Sequence, residues 1–397
     1  MEGEVRVADG TALAGARVVA DGRVLEPGHV VVQDGRIAAV GEGGPPGDGP
    51  VHDLGGAWLL PGFVDLHVHG GGGGDLTGAD PDGHRTAARF HGRHGTTSLL
   101  ATTVTSSPED LAAAVAALRT TMRAPTDGAR IAGINLEGPW LAEECRGAHD
   151  PALIRDPGLG EFARLADLAD GALRVVTLAP ERPGAAELAD AVRAARAVVS
   201  LGHTAASYEA ATDAVARGAA LVTHVFNGMH PMHHRRPGMV GAALASPELT
   251  CELIADGLHV HPGAVRALVQ AKGAGRVALV TDCLAAAGLP EGEHELGGRS
   301  VTVSGGLARV TGTGTIAGST LTMDEAVRNA VRFAGVTVPE ASRMASATPA
   351  RLLGLPGISG RLVPGDLADL VVLDDGLAVR ATMVGGRWIH RDDTVPA

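Results

Sequence analysis

"GFVDLHVHG", residues 62–70, is an apolar run that ends in two imidazoles. Phe63, Val64, Leu66 and Val68 read as buried sheet residues. Side chains two apart on a strand point to the same side, so His67 and His69 share a face. Five glycines, Gly70 to Gly74, follow at once. A core strand that finishes with two imidazoles on one face and then turns to glycine predicts a metal at the strand's C-terminal end. The glycines would let the backbone pass close to that site.

Seven further β-runs continue the pattern. With the first at 63–69, they fall near 97–101, 130–136, 173–178, 197–202, 219–225, 249–255 and 276–281. Ala-rich amphipathic stretches such as "EDLAAAVAALRTTM" (109–122) and "AAELADAVRAARA" (185–197) lie between them. Eight strands with helical connections predict an α/β fold, a (β/α)8 TIM-like barrel. A doubly wound open sheet is the alternative, but no G-x-G-x-x-G follows a strand to support dinucleotide binding. Residues 289–318 are rich in Gly and Thr and predict a β-hairpin excursion after strand eight.

The two ends of the chain read alike. "GARVVADGRVLEPGHVVVQDGRIAAVG" (15–41) and "GDLADLVVLDDGLAVRATMVGGRWIH" (365–390) are short β-runs split by Gly and Asp-Gly turns. They predict one small β-sandwich domain built from residues 1–60 and 361–397, with the barrel, residues 61–360, inserted between them.

Composition narrows the function classes. The 397 residues are 45% hydrophobic and 20% charged, with a net charge of −12. An acidic balance argues against nucleic acid, whose binding needs a basic face. No apolar run approaches the roughly 20 residues that span a bilayer, and "MEGEVRVADG" (1–10) does not read as a secretory leader. A cytoplasmic enzyme acting on a small molecule is the expectation. Three cysteines, Cys145, Cys251 and Cys283, are too few for a disulfide framework. Lys272 is the only lysine, so a Schiff base or a carboxylated bridging lysine must use it or be absent.

Polar residues then gather at one end of the expected barrel. Glu137 ends strand three in "INLEGPWL", and His203 follows strand five in "VVSLGHT". His224 ends strand six in "ALVTHVFNGM", and Asp282 ends strand eight in "VALVTDCL". Singly, each has an ordinary explanation: a satisfied strand-end histidine, a Glu in a Gly-Pro turn, an Asp capping a helix. Together with His67 and His69 they converge on one barrel mouth, where active sites form. Imidazoles with carboxylate suit a divalent metal, zinc first, with iron, manganese or cobalt as alternatives. A carboxylate such as Asp282 beside an activated water can take its proton and return it to a leaving group.

These residues resemble the amidohydrolase superfamily. More narrowly, "PGFVDLHVHG", "LEGPWL", "GHT", "HVFNGM", "IADGLHVHP", "TDCLAAAG" and "GSTLTMDEAVRN", spread over 61–329, resemble the N-acetylglucosamine-6-phosphate deacetylase family. The resemblance implies hydrolysis of N-acetylglucosamine 6-phosphate to glucosamine 6-phosphate and acetate, in amino-sugar catabolism or cell-wall recycling. It implies a core metal site of Glu137, His203 and His224, with Glu137 in place of a bridging lysine. Some members carry Gln-x-Asn on strand one and hold one metal. His67 and His69 here open a second site, so one or two metals per chain are expected.

At the substrate end the resemblance implies that Asn227 and the Gly228 N–H meet the phosphate and that His259 contacts the sugar phosphate or hydroxyls. Arg235 would reach the phosphate from the neighbouring subunit of a homodimer. His149 would hydrogen-bond the acetyl oxygen. Arg236, His234 and His261 are expected to be bystanders, Cys145 a small loop residue and Cys283 a packing residue. Two rivals stand beside this reading: another amidohydrolase-type amide hydrolase or deaminase, and a non-catalytic structural homologue.

Overall fold

The computed structural model describes residues 10–124 and 126–395. The stretch read as lacking a leader lies, but for Gly10, outside the described residues. Among those described, no helix is long and apolar enough to cross a membrane.

All eight expected strands form, and they pair in parallel in chain order. They are β1 (Phe63–Val68), β2 (Thr96–Thr103), β3 (Arg130–Glu137), β4 (Leu173–Leu178), β5 (Val198–Leu201), β6 (Leu221–Val222), β7 (Thr250–Leu253) and β8 (Val277–Leu279). β1 and β2 are buried at every position, as strands covered on both faces must be. The helices that cover them are α1 (Pro81–Arg93), α2 (Pro108–Met122), α3 (Leu159–Ala169), α4 (Ala185–Ala194), α5 (Tyr208–Ala216), α6 (Gly238–Ala245), α7 (Pro262–Lys272) and α8 (Met323–Ala334). Their starts are written in the sequence. Asp80, Ser107 and Ser207 cap α1, α2 and α5, and Pro81, Pro108 and Pro262 take first-turn positions that need no donor. In α2 the buried stripe Leu111, Ala114, Val115, Leu118 follows the helical repeat and turns to the strands.

The seam between β8 and β1 closes the barrel just past the end of β8. The Asp282 N–H donates to the His67 carbonyl at 2.9 Å, and the His69 N–H donates to the Cys283 carbonyl at 2.8 Å. Beneath them the fully buried Asp65 accepts from the Thr281 hydroxyl at 2.7 Å and from the His67 N–H at 3.2 Å. Burial lifts the Asp65 carboxyl to about 7 against those hydrogen bonds. The seam sets Asp282 beside the two strand-one histidines.

The glycine run folds back on itself beside α1. Gly70–Gly71 pair with Gly74–Asp75 in a two-residue ribbon. A side chain on Gly70 would lie 2.7 Å from the Ala285 nitrogen, and one on Gly74 would lie 2.3 Å from the Gly83 carbonyl oxygen of α1. The glycines let the chain pass tightly between α1 and the 283–287 segment, directly after His69.

Strands from both chain ends form the second sheet. Its order is 387–391, 379–384, 370–373, 58–61, 11–20, 23–33, 36–42, with 51–53 also beside 11–20. Leu13, Val18, Val30, Leu59, Leu370, Val372 and Met383 meet in one apolar cluster, the small β-sandwich core. After β8 comes a four-stranded antiparallel sheet, Gly292–Leu296, Arg299–Ser304, Leu307–Val310 and Ile316–Ser319, where a hairpin was expected.

Barrel and end sheet are bolted by Arg130 of β3. Its guanidinium donates to Asp369 at 2.7 and 3.3 Å, and Asp369 also accepts the Gly385 N–H at 2.8 Å. Asp369→Ala is expected to cost about 2–3 kcal/mol, because it strands a half-buried guanidinium and a backbone donor. The first transition of a urea titration measures the loss; a shift within error of zero would show that the bolt carries no load.

Candidate active site

Glu137 is the last residue of β3, and His67 lies on β1. His203, His224 and Asp282 each sit just beyond a strand end, with φ of +47°, +25° and +49°. Left-handed backbone at non-glycine residues costs on the order of 1–3 kcal/mol each, and it aims these side chains inward across the mouth. Gly228, at φ +60°, fits where a side chain would lie 2.8 Å from the His203 Nδ1.

Glu137 is the hub. Its Oε1 lies 3.0 Å from His203 Nε2, 2.9 Å from His224 Nε2 and 3.4 Å from His67 Nε2. Its Oε2 lies 3.3 Å from His69 Nε2 and 3.4 Å from His149 Nε2. Asp282 Oδ1 stands 3.2 Å from His69 Nε2 and 3.6 Å from His67 Nε2. All of these residues are buried.

The outer ring nitrogens sort the imidazoles by role. His203 Nδ1 donates to the Cys145 carbonyl at 2.8 Å, and His69 Nδ1 donates to the Thr102 carbonyl at 3.1 Å. His67 Nδ1 donates to the Glu252 carboxylate at 3.0 Å. Each of these rings, when neutral, therefore turns an Nε2 lone pair inward, the usual state of a metal-ligating histidine held by an outer partner. His149 is the reverse. Its Nδ1 accepts the Thr105 backbone N–H at 3.2 Å, so its Nε2 carries the proton and faces the site as a donor.

Two histidine pairs bring Nε2 atoms together, His67 with His69 at 3.2 Å and His203 with His224 at 3.1 Å. Facing lone pairs repel unless a cation lies between them. Nitrogens sharing one tetrahedral zinc stand about 3.3 Å apart, by the usual bond lengths. The donor set fits a divalent metal. Ligand atoms close enough to share an ion occur in the groups His67–Glu137–His224 and His67–His69–Asp282. Geometry alone would add Glu137–His149–His203. The protonated Nε2 removes His149 from that set.

Burial works against every charge here, and the neighbours decide the outcome. At Asp282 burial is outweighed by the charges of His67 and His69, which hold the carboxyl at about 2. At Glu137 it is outweighed by the surrounding imidazoles, His67 first and then His149, His203 and His224, which hold it well below the carboxylate range. His69 rises to about 9 against burial, through Asp282 and Glu137. Burial wins at His203, which falls to about 4.

A cavity of about 270 Å³ opens over the cluster, lined by Asn227, Gly228, His259 and Arg299 beside His149 and Asp282. His259 donates from Nδ1 to Asp256, and its buried Nε2 has no partner among the described residues. Arg235 lies outside this cavity, on an exposed loop, and donates to its neighbour His234 at 2.8 Å. His261 caps α7 through its Nδ1. Burial pushes the Cys145 thiol up to about 11, so this loop residue is no ready nucleophile. Cys283 is fully buried.

Three residues escaped the sequence reading: Asp65, Glu252 and Arg299. Asp65 shares a strand face with His67 and His69, and Glu252 is a charge inside the apolar run "TCELIA" (250–255). Both signals were available. Arg299 comes from the distant hairpin sheet, and nothing local announces it.

The comparisons with known proteins agree with this geometry. Residues 58–389 match the model of the amidohydrolase family. The chain is 39% identical over 375 residues to the N-acetylgalactosamine-6-phosphate deacetylase of Escherichia coli O157:H7, covering 94% of this chain and 98% of that one. It is 40% identical over 387 residues to the human N-acetylglucosamine-6-phosphate deacetylase, covering 94% and 91%. Among solved structures, an alanine variant of the Mycobacterium smegmatis N-acetyl-D-glucosamine-6-phosphate deacetylase, in complex with N-acetyl-D-glucosamine-6-phosphate, superposes with a TM-score of 0.92. It is 42% identical, covering 96% of this chain and all of that one. The fold, the inward-turned imidazoles around one buried glutamate and this full-length similarity together place the chain in the amidohydrolase family.

Proposed function

We propose that the chain hydrolyses N-acetylglucosamine 6-phosphate to glucosamine 6-phosphate and acetate. The observation that carries this reading is the division of labour set by the outer ring nitrogens: three imidazoles, when neutral, turn lone pairs inward beside Glu137 and Asp282, and His149 presents a proton. That set matches hydrolysis of an amide, and the names of the relatives supply the phosphorylated amino sugar. The barrel, 61–360, would carry the chemistry, and residues 1–60 and 361–397 the sandwich domain.

A divalent metal at Glu137, His203 and His224, with a second at His67 and His69, would polarise the acetamide carbonyl and acidify a neighbouring water. Asp282, whose Oδ1 stands 3.2 Å from His69 Nε2, accepts the proton of the attacking water. His149 Nε2–H donates to the acetyl oxygen as negative charge develops there. Asp282 then delivers its proton to the amine nitrogen as the C–N bond breaks. Asn227, the Gly228 N–H and His259 receive the sugar phosphate, and Arg235 completes the phosphate site from the partner of a homodimer. The exposed position of Arg235 outside its own chain's cavity supports that arrangement.

The 4-epimer is the second reading, because the Escherichia coli relative is named for N-acetylgalactosamine 6-phosphate. Acetate release from the two phosphorylated sugars, compared by kcat/KM, decides between them; no release from either would remove both.

Asp282→Asn is expected to lower the rate on the order of 10²–10⁴-fold with metal content retained. Near-normal turnover would remove Asp282 as the proton carrier. His67→Gln with His69→Asn is expected to lower the metal content measured by elemental analysis toward one per chain and leave some activity. Equal stoichiometry in variant and parent would show that the pair holds no metal.

Arg235→Ala is expected to weaken use of the phosphorylated sugar strongly and to spare residual activity on the unphosphorylated one, since a guanidinium fork matches a phosphate dianion. Mixing it with Asp282→Asn chains should restore activity after subunit exchange, because a mixed dimer carries one intact site. Exchange verified by mass spectrometry without recovery would place Arg235 outside the neighbour's site.

A further inference from the structure

Glu252 is a carboxylate inside barrel strand β7, fully buried, where apolar side chains ordinarily fill a barrel. Its Oε2 accepts two hydrogen bonds, from His67 Nδ1 at 3.0 Å and from the His224 backbone N–H at 3.1 Å. Its Oε1 is buried and has no partner among the described residues. A buried carboxylate is tolerated only with compensating positive charge and full hydrogen bonding. Here the protein supplies two donors to one oxygen and none to the other. The shortfall points toward a cation held by the imidazole that Glu252 touches.

We propose that Glu252 is the positioning residue that makes the strand-one pair a metal site. It fixes His67 with the Nε2 lone pair inward, and it supplies negative charge behind a second divalent ion. Both effects act through His67. Glu137 and Asp282 together offset only one divalent cation's charge, so a second ion leaves the mouth short of anions. Among the described residues, Glu252 is the one further carboxylate in contact with a ligand imidazole. The His224 N–H on the same oxygen ties the two halves of the cluster, so β7 positions ligands carried by its neighbour β6 and by β1 across the barrel.

This inference rests on the reading that His67 and His69 bind metal, and the test separates the two. Glu252→Gln is nearly isosteric: its amide oxygen can still accept both N–H donors, but the charge is gone. Zinc affinities are measured by chelator competition on the whole protein, with thermal melts beside them. Glu252→Gln is expected to lose about 10–100-fold in affinity for the second zinc, the usual scale for an outer partner of a ligand, with the first zinc and the melt little changed. In a His67→Gln background the same substitution should cost nothing further. Wild-type affinity at both sites in Glu252→Gln overturns the proposal. So does an equal loss at both sites with a lowered melting temperature, or a chain that no longer folds with zinc present, since those mark a purely structural residue. A parent protein that holds a single zinc at saturation instead overturns the two-metal reading, and this inference with it.

Discussion

Burying Glu137 is the constraint on which the mouth of the barrel depends. The side chain is 3% exposed, and an uncompensated carboxylate at that depth would cost several kcal/mol. Five imidazoles surround it, carried on and just past β1, on the loop after β3, and just past β5 and β6. No short segment could supply them. A closed parallel barrel can, because it delivers every strand end to one small opening. The seam at Asp282 and His67 is therefore part of the site as well as of the fold: a slip there would carry the Asp282 carboxylate away from the strand-one histidines.

The site is also built from outside. Main-chain carbonyls of Thr102 and Cys145, the carboxylate of Glu252 and the amide of Thr105 decide which nitrogen carries a proton in four of the five rings. None of those atoms need touch a substrate. They convert a cluster of chemically identical side chains into acceptors on one side and a donor at His149. The strained backbone at His203, His224 and Asp282 belongs to the same logic, since relaxed extended conformations would continue the strands rather than turn the side chains across the mouth.

Much of this was legible in the sequence. Strands buried on both faces leave continuous apolar runs, and helices over a sheet leave a 3.6-residue stripe, so the alternation of the two gave all eight β/α units. The six polar residues at strand ends stood out because an apolar run makes a charge conspicuous. The same rule should have found Asp65 and Glu252, but both sit inside strands rather than at their ends, where a reader expects function. The part expected of His149 rested on resemblance alone; its tautomer is set by a backbone amide 44 residues earlier, which donates to Nδ1. The contact of the glycine run with α1 was not legible, because close approach to a helix and close approach to a metal look alike in sequence.

The four-stranded sheet after β8 joins both chemical ends of the site. Its last strand is tied to Asp282, whose carbonyl accepts the Ser319 N–H at 2.7 Å. Its second strand begins with Arg299, whose guanidinium donates to the carbonyls of Ala148 and His149 at 2.8 and 3.1 Å. Asp282 and His149, the proposed proton acceptor and donor, are thus tied to one small sheet, although they arise from different strands of the barrel. A donor and an acceptor that must act on the same amide need a fixed separation, because misplacement by about 1 Å can cost on the order of 10²-fold in rate. Loops alone would hold that separation poorly. Tying both to paired strands gives the mouth a rigid rim, and it explains why an arginine far from the metal ligands in sequence lines their cavity.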